Sequence, residues 1–404
     1  MKRKSNTPTW MVSLAVLGLI AGALAGPPNG QRLQVAYSFR DVPDGANPFQ
    51  SPLVLDNSGS LYGTSLHGGT GSNGTVFKVT RTGKESVLYR FAAGAKGWAP
   101  SPESGVIRDE AGNLYGTEAF SGPQQKGSVF KLGPAGKFTI LHDFTGSGDG
   151  DAPSGGLVRD ASGNLYGTAS GGGDLQGCGN GCGTVFKLDS SGKFTVLYTF
   201  TGGGDGGIPT GSLVLDSAGN LYGTTLGGGA FSQGTVFMLT NTGQERSLYS
   251  FTATGQSDGM EPAAGLVRDS SGTLYGTTFY GGGGSCFDGF NPGCGTVFKI
   301  DKSGTFSVLH SFTGGDDGGW STAALALDSK GNLYGTASGA GRFGAGTLFS
   351  IRKTGAFSLL HSFTGGGDGA RPMGTMTIDS TGTIYGTTAG GGAFGFGEVF
   401  KFVP

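Results

Sequence analysis

Three features of the sequence predict an all-β chain folded as a seven-bladed β-propeller of four-stranded antiparallel blades: seven copies of one unit, four strand-like runs in each, and a unit divided between the two ends. The copies are counted from the tetrapeptide Leu/Ile-Tyr-Gly-Thr, whose tyrosines are Tyr62, Tyr115, Tyr166, Tyr222, Tyr275, Tyr334 and Tyr385. Their spacing of 51 to 59 residues is the period of stacked supersecondary units. A repeat filling nearly all of 404 residues argues for one cooperative array and not a row of independent domains.

In chain order, residues 1–25 read as a signal peptide. Lys2, Arg3 and Lys4 form a basic start, Trp10 to Ala21 an apolar run, and Ala23-Leu24-Ala25 a small-x-small cleavage site. An uncleaved anchor is the competing reading, because Trp10 to Gly26 approaches the shortest membrane span. With cleavage, no transmembrane span is left in the mature chain, and either way the body is expected to be exported: periplasmic, cell-surface or extracellular. Residues 26–34 then read as a linker and 35–404 as the propeller.

The unit containing Tyr222 shows the four runs as Ser212 to Asp216, Asn220 to Thr224, Gly234 to Leu239 and Arg246 to Phe251. Each is short, rich in Val, Leu, Tyr, Phe and Thr, and bounded by turn formers, which is strand chemistry. The connections alternate. Asp216 to Gly219 is a tight hairpin turn, as is Asp189 to Gly192 between the third and fourth runs of the previous unit. By contrast, Gly227 to Gln233 and the inter-unit link Thr201 to Pro209 are long and glycine-rich. An up-and-down sheet therefore carries its long loops on one side and its tight turns on the other. The rival architecture, a β-solenoid, usually has shorter coils. The ends favour a ring, since residues 35–39 make a lone fourth-strand run while the last unit stops after its third strand at Glu398 to Val403. The N-terminal strand is expected to complete the last blade.

Asp-x-x-Gly-Asn-Leu-Tyr-Gly-Thr and Gly-Thr-Val-Phe-Lys-Leu in tandem resemble the bacterial GloVer repeat family, also called choice-of-anchor tandem-repeat proteins. The resemblance covers nearly the whole mature chain and implies an exported, surface-associated propeller-like protein, often with a C-terminal sorting segment. Here the expectation at that end differs, because Phe400 to Pro404 lies inside a repeat with no hydrophobic tail or basic finish.

Charged residues are 14% of the chain and the formal net charge is −1, with no basic run, so a nucleic-acid partner has no electrostatic footprint. The chain is expected to be a monomer. No nucleophile elbow, zincin motif or phosphate loop is present. The acids that break the repeat consensus, Glu118, Glu261 and Glu398, are the catalytic candidates, weighed against a chain with no catalytic set at all.

The aspartates that close the first run of each unit, Asp56 to Asp379, read as turn acceptors. A second series in the inter-unit loops includes Asp149, Asp205, Asp317 and Asp368. Oxygen-rich, glycine-flexed loops suit calcium, so these four are the metal candidates, set against the plainer reading of Asp-Gly as a turn former. No other cofactor is expected. Cys178 with Cys182 and Cys286 with Cys294 read as disulfides pinning two long loops.

Aromatic residues of the long loops, Phe231, Tyr280, Phe343 and Phe396 with Trp98 and Trp320, are the ligand-binding candidates, against local packing as the alternative. The function expected is a non-enzymatic exported scaffold presenting that face to carbohydrate or an envelope protein. The alternative is a hydrolase or lyase acting at the channel mouth on polysaccharide or a lactone-type molecule.

Overall fold

The computed structural model describes residues 32–92, 102, 104–252, 257–286 and 291–404. Residues 1–25, read above as a signal peptide, and Trp98 lie outside them. Seven four-stranded antiparallel sheets follow one another along the chain. Blade 4 shows the plan, with strands Val214–Leu215, Leu221–Thr225, Thr235–Leu239 and Glu245–Ser250. The second and third strands are covered by neighbouring blades on both faces, which is why they read as nearly continuous apolar runs; the fourth is half-exposed.

The ring closes as predicted. Arg32–Ser38 pairs antiparallel with Glu398–Val403, Arg32 opposite Val403 and Ser38 opposite Glu398. This strand starts at Arg32, three residues inside the stretch read as linker, because Leu33 supplies the apolar position that packs at the seam between blades 6 and 7.

Each seam is held by the same pair of rings. The phenylalanine that ends the outer strand of one blade meets, edge to face, the third-strand phenylalanine of the next: Phe200 with Phe237 at 5.1 Å, Phe363 with Phe400 at 5.4 Å, and across the closure Phe39 with Phe77 at 4.9 Å. The remaining four seams repeat the contact. These rings are buried, so each seam combines apolar burial with the favourable geometry of ring edge on ring face.

The glycine of Leu-Tyr-Gly-Thr leaves room for this core. A Cβ on Gly223 would lie 2.6 Å from Cζ of Phe237, its cross-strand partner, and 2.9 Å from Leu213. The space is thus occupied by a ring of the same blade and not by an approaching neighbour sheet.

On the tight-turn side, Asp216 accepts the backbone N–H groups of Ala218 and Asn220, both at 2.9 Å, while its other oxygen accepts the Tyr222 hydroxyl at 3.1 Å. The repeat tyrosine therefore clamps the turn, and the arrangement recurs from Asp56 with Tyr62 to Asp379 with Tyr385. Burial alone would raise the Asp56 carboxyl, but hydrogen bonds from Ser58, Ser60 and Tyr62 outweigh it and hold the group at about 2. No helix among the described residues is long and apolar enough to cross a membrane.

Candidate functional site

The long-loop side is a hydrogen-bonded ring. After the outer strand, six inter-unit loops among the described residues pair with the second-to-third loop of the following blade, as Gly207 with Gly227 and Ala370 with Gly390. The next residue takes a left-handed conformation: Asn47, Ala152, Ile208, Glu261, Trp320 and Arg371 all have φ between 50° and 59°. Its amide donates to the loop of the blade before and its carbonyl accepts from the blade after. For Ile208 the partners are Cys182 O at 2.8 Å and Leu226 N at 3.0 Å. Main-chain bonds thus tie three successive segments, leaving this side chain free to vary.

At the axis, the segments before the first strands converge, with Gln50, Ser104, Ser154, Thr210, Ala264, Thr322 and Thr375 representing the seven blades. The cavity there is about 30 Å³, against roughly 300 Å³ or more for a small-molecule site. Bonds between blades close it further, with Gly156 N donating to Ser212 Oγ at 3.0 Å and Ala324 N to Thr375 Oγ1 at 3.2 Å. Among the described residues, small neutral side chains make the wall, with no carboxylate or imidazole.

Glu118, Glu261 and Glu398 do not converge on this axis. Glu118 and Glu398 occupy opposite members of the same cross-strand pair in blades 2 and 7, where blades 1, 4 and 5 place two hydroxyls, such as Thr225 with Thr235, and blades 3 and 6 an alanine with a threonine. Both are buried. Glu118 accepts the Ser128 hydroxyl at 2.7 Å, and burial raises its carboxyl above the usual range. Glu398 accepts Ser38 Oγ at 2.8 Å from the N-terminal strand that completes blade 7, and burial, with the charge of Asp368 added, raises it to about 7. Glu261 holds the left-handed position leading into blade 5. The three acids fall in blade 2, at the entry to blade 5 and in blade 7, so no two share a blade.

The loop aspartates have a role that sequence reasoning missed. Asp205 accepts Thr201 N at 2.8 Å, Thr201 Oγ1 at 2.6 Å and the Tyr198 hydroxyl at 3.0 Å. In Asp149, Asp317 and Asp368 the third donor is the Nε2 of His142, His310 or His361. Each carboxylate thus fastens an inter-unit loop to its own outer strand. Burial lowers the imidazoles of His142 and His310 despite the neighbouring aspartates. The signal was legible: Tyr or His stands seven residues before the aspartate in five of these six units, and nine before in Asp258. Among the described residues no three His, Cys, Asp or Glu groups gather as a metal site.

The same outer-strand rings stack on the next blade, as Tyr249 on Phe306 at 3.9 Å and His310 on Phe357 at 3.8 Å. The cysteines bond as expected, Cys178 to Cys182 and Cys286 to Cys294. Their sulfurs fill the space beside Gly202 and Gly314, bracing each long loop against the inter-unit loop of its blade.

The loop aromatics divide. Phe231 and Phe343 stand at loop tips, 48% and 55% exposed, and so does Phe394 at 50%. Tyr280 is buried, packed edge-on to Phe279 at 4.5 Å, because its backbone pairs with Met260. Phe396 packs half-buried into the closing seam, its carbonyl holding Asn47 N at 2.8 Å. Trp320 lies over Gly339, its indole Nε1 buried without a partner among the described residues. Tyr280, Phe396 and Trp320 therefore act first as packing groups.

A closed seven-bladed propeller, its axis lined among the described residues by neutral side chains and its loop face varied, defines the class. Matches to the Gloeobacter/Verrucomicrobia repeat at residues 26–178, 100–290 and 284–404 show that the chain belongs to that family. Among curated proteins none matches the sequence. Similar solved structures include the extracellular domain of a hybrid two-component system from B. thetaiotaomicron, with a TM-score of 0.55 and 12% identity over 91% of this chain and 39% of that one. A puromycin-hydrolyzing peptidase of Mycobacterium tuberculosis aligns at 0.51 and 12% identity over 87% and 52%. A gluconolactonase from Xanthomonas campestris aligns at 0.46 and 15% over 81% and 90%. At such identities the likeness is one of propeller fold.

Proposed function

We propose that the protein is an exported binding propeller whose long-loop face takes extracellular carbohydrate. The observation that carries this reading is the exposure of Phe231, Phe343 and Phe394 at loop tips on one face, in a chain whose seam phenylalanines are all buried. An exposed ring loses little conformational freedom when a sugar stacks on it, and the apolar face of a pyranose matches it. The tips are open to approach, since a Cβ on the neighbouring Gly344 or Gly395 would meet nothing within 4 Å. The test is retention of the purified protein on immobilised polysaccharides, with Phe231→Ala, Phe343→Ala and Phe394→Ala combined. Loss of retention with unchanged thermal unfolding is expected; retention equal to the parent overturns the reading.

Hydrolysis is the second reading, supported by the likeness of fold to the puromycin-hydrolyzing peptidase. Its candidate acid is Glu398, a carboxyl near 7 beside the Ser38 hydroxyl. Turnover of a polysaccharide or lactone that disappears in Glu398→Gln, with the fold intact, is its test.

A further inference from the structure

We propose that the seam between blades 6 and 7 on the long-loop face binds an acidic, uronate-bearing polysaccharide, with Phe343 and Phe394 stacking on sugar rings and Arg40, Arg342 and Arg371 pairing with carboxylates. This rests on the binding reading of that face and names its ligand class.

Arg371 occupies the left-handed position of this seam. Its amide donates to Ala345 O at 2.9 Å, two residues beyond Phe343, and its carbonyl accepts Ala389 N at 2.9 Å. Its guanidinium lies against Gly390, so that a Cβ there would be 3.1 Å from Nη2. Arg371 therefore stands between the loop bearing Phe343 and the loop bearing Phe394. The other two arginines sit over those rings: Cζ of Arg342 is 5.6 Å from the Phe343 centroid and Cζ of Arg40 is 5.1 Å from that of Phe394. Ring and cation are thus already adjacent before any ligand arrives.

All three arginines are exposed, and none forms an ion pair with a described residue. Nearby carboxylates are engaged elsewhere. Asp368 holds His361 and Thr364, and Glu398 is turned inward to Ser38. Asp41 follows Arg40 in the chain without pairing to it. Among the described residues, the equivalent left-handed positions carry Asn47, Ala152, Ile208, Glu261 and Trp320, so this seam alone presents a cation there. The guanidinium fork matches a carboxylate in two parallel hydrogen bonds, and the rings beside it match a pyranose face. A phosphate chain would call for a longer track of cations than three arginines at one seam, in a chain of net charge −1.

The experiment is affinity electrophoresis of the full chain in gels containing polygalacturonate, neutral dextran or a single-stranded oligonucleotide. Polygalacturonate is expected to retard the protein, with the effect reduced by salt. The combined variant Arg40→Gln, Arg342→Gln, Arg371→Asn should bind it about tenfold more weakly, the sum of three exposed charge pairs. Asn is chosen at position 371 because it tolerates positive φ. Phe343→Ala with Phe394→Ala should lose neutral and acidic glycans alike. Equal retardation by dextran, or an arginine variant that binds polygalacturonate like the parent, overturns the acidic-ligand proposal and leaves the carbohydrate face standing. No retardation by any glycan overturns both. Retardation by the oligonucleotide as strong as by polygalacturonate makes the patch a general polyanion surface and overturns the assignment.

Discussion

Replacing Glu398 by Gln should flatten the fall of stability between about pH 4.5 and pH 7. The carboxyl lies wholly buried in blade 7 opposite the N-terminal strand, where other blades carry Thr75, Ser128, Thr184, Thr235, Thr296 and Thr347. One oxygen accepts Ser38 Oγ at 2.8 Å, and Oε2 has no hydrogen-bond partner among the described residues. Burial dominates and raises the group from 4.5 to about 7, against the pull of the Ser38 hydroxyl. Because the folded value lies above the unfolded one, the stabilisation is complete below about pH 4.5 and is lost as pH rises toward 7, with no further loss above. At about 1.4 kcal/mol per pH unit, that interval is worth up to about 3 kcal/mol.

Urea unfolding at pH 4.5 and pH 8, followed by circular dichroism, measures the difference. That window stays above the range in which the turn aspartates protonate, since Asp56 sits at about 2. The parent should lose up to about 3 kcal/mol more than Glu398→Gln between the two conditions. A residual slope is expected in the variant, because Glu85 and Glu245 are also raised to about 7, burial first and Asp44 or Asp205 second. Identical slopes in parent and variant would refute the argument, whatever the absolute stabilities.

Two further outcomes follow from the packing. Phe39→Ala at the closing seam and Phe200→Ala at an internal one both remove a fully buried ring from an edge-to-face pair, so each should cost about 3–5 kcal/mol in chemical denaturation. A much smaller loss for Phe39→Ala would mean that the non-covalent closure is weaker than its neighbours. Gly223→Ala should cost about 1–3 kcal/mol through crowding alone, since its φ is ordinary and the clash is with the Phe237 ring. Adding Phe237→Leu should recover part of that loss, and a neutral single variant would show the ring free to move aside.

The fold was legible because each of its contacts is written seven times. A strand pattern, a turn and a glycine that recur at fixed offsets leave one arrangement that repeats them all, and the split unit at the ends supplies the closure. The aspartate turns followed from local chemistry, since Asp-x-x-Gly brings the carboxylate to its own chain's amides within four residues. What the repeat hides is the direction of a side chain within a loop. Phe394 and Phe396 stand two residues apart in one glycine-rich segment, yet the first is exposed and the second packs into a seam.

That difference arises from main-chain bonds made to another blade. Phe396 gives its carbonyl to Asn47, nearly the whole chain away, and so cannot turn outward; Phe394 precedes Gly395, whose amide closes the tip on Gly392 at 3.2 Å. The same reasoning explains Trp320. Its amide and carbonyl are fixed by Cys294 and Ser338, which sets the ring down over Gly339, whereas Arg371 at the equivalent position carries a long flexible side chain whose charge remains in solvent. The ring of left-handed residues thus separates two requirements. Backbone hydrogen bonds fix the blades, and the side chain at each seam sets what that part of the face offers: apolar at Ile208, acidic at Glu261, aromatic at Trp320, basic at Arg371. A propeller built this way can change the chemical character of its loop face by substitution at one residue per seam without disturbing the phenylalanine contacts that close the ring.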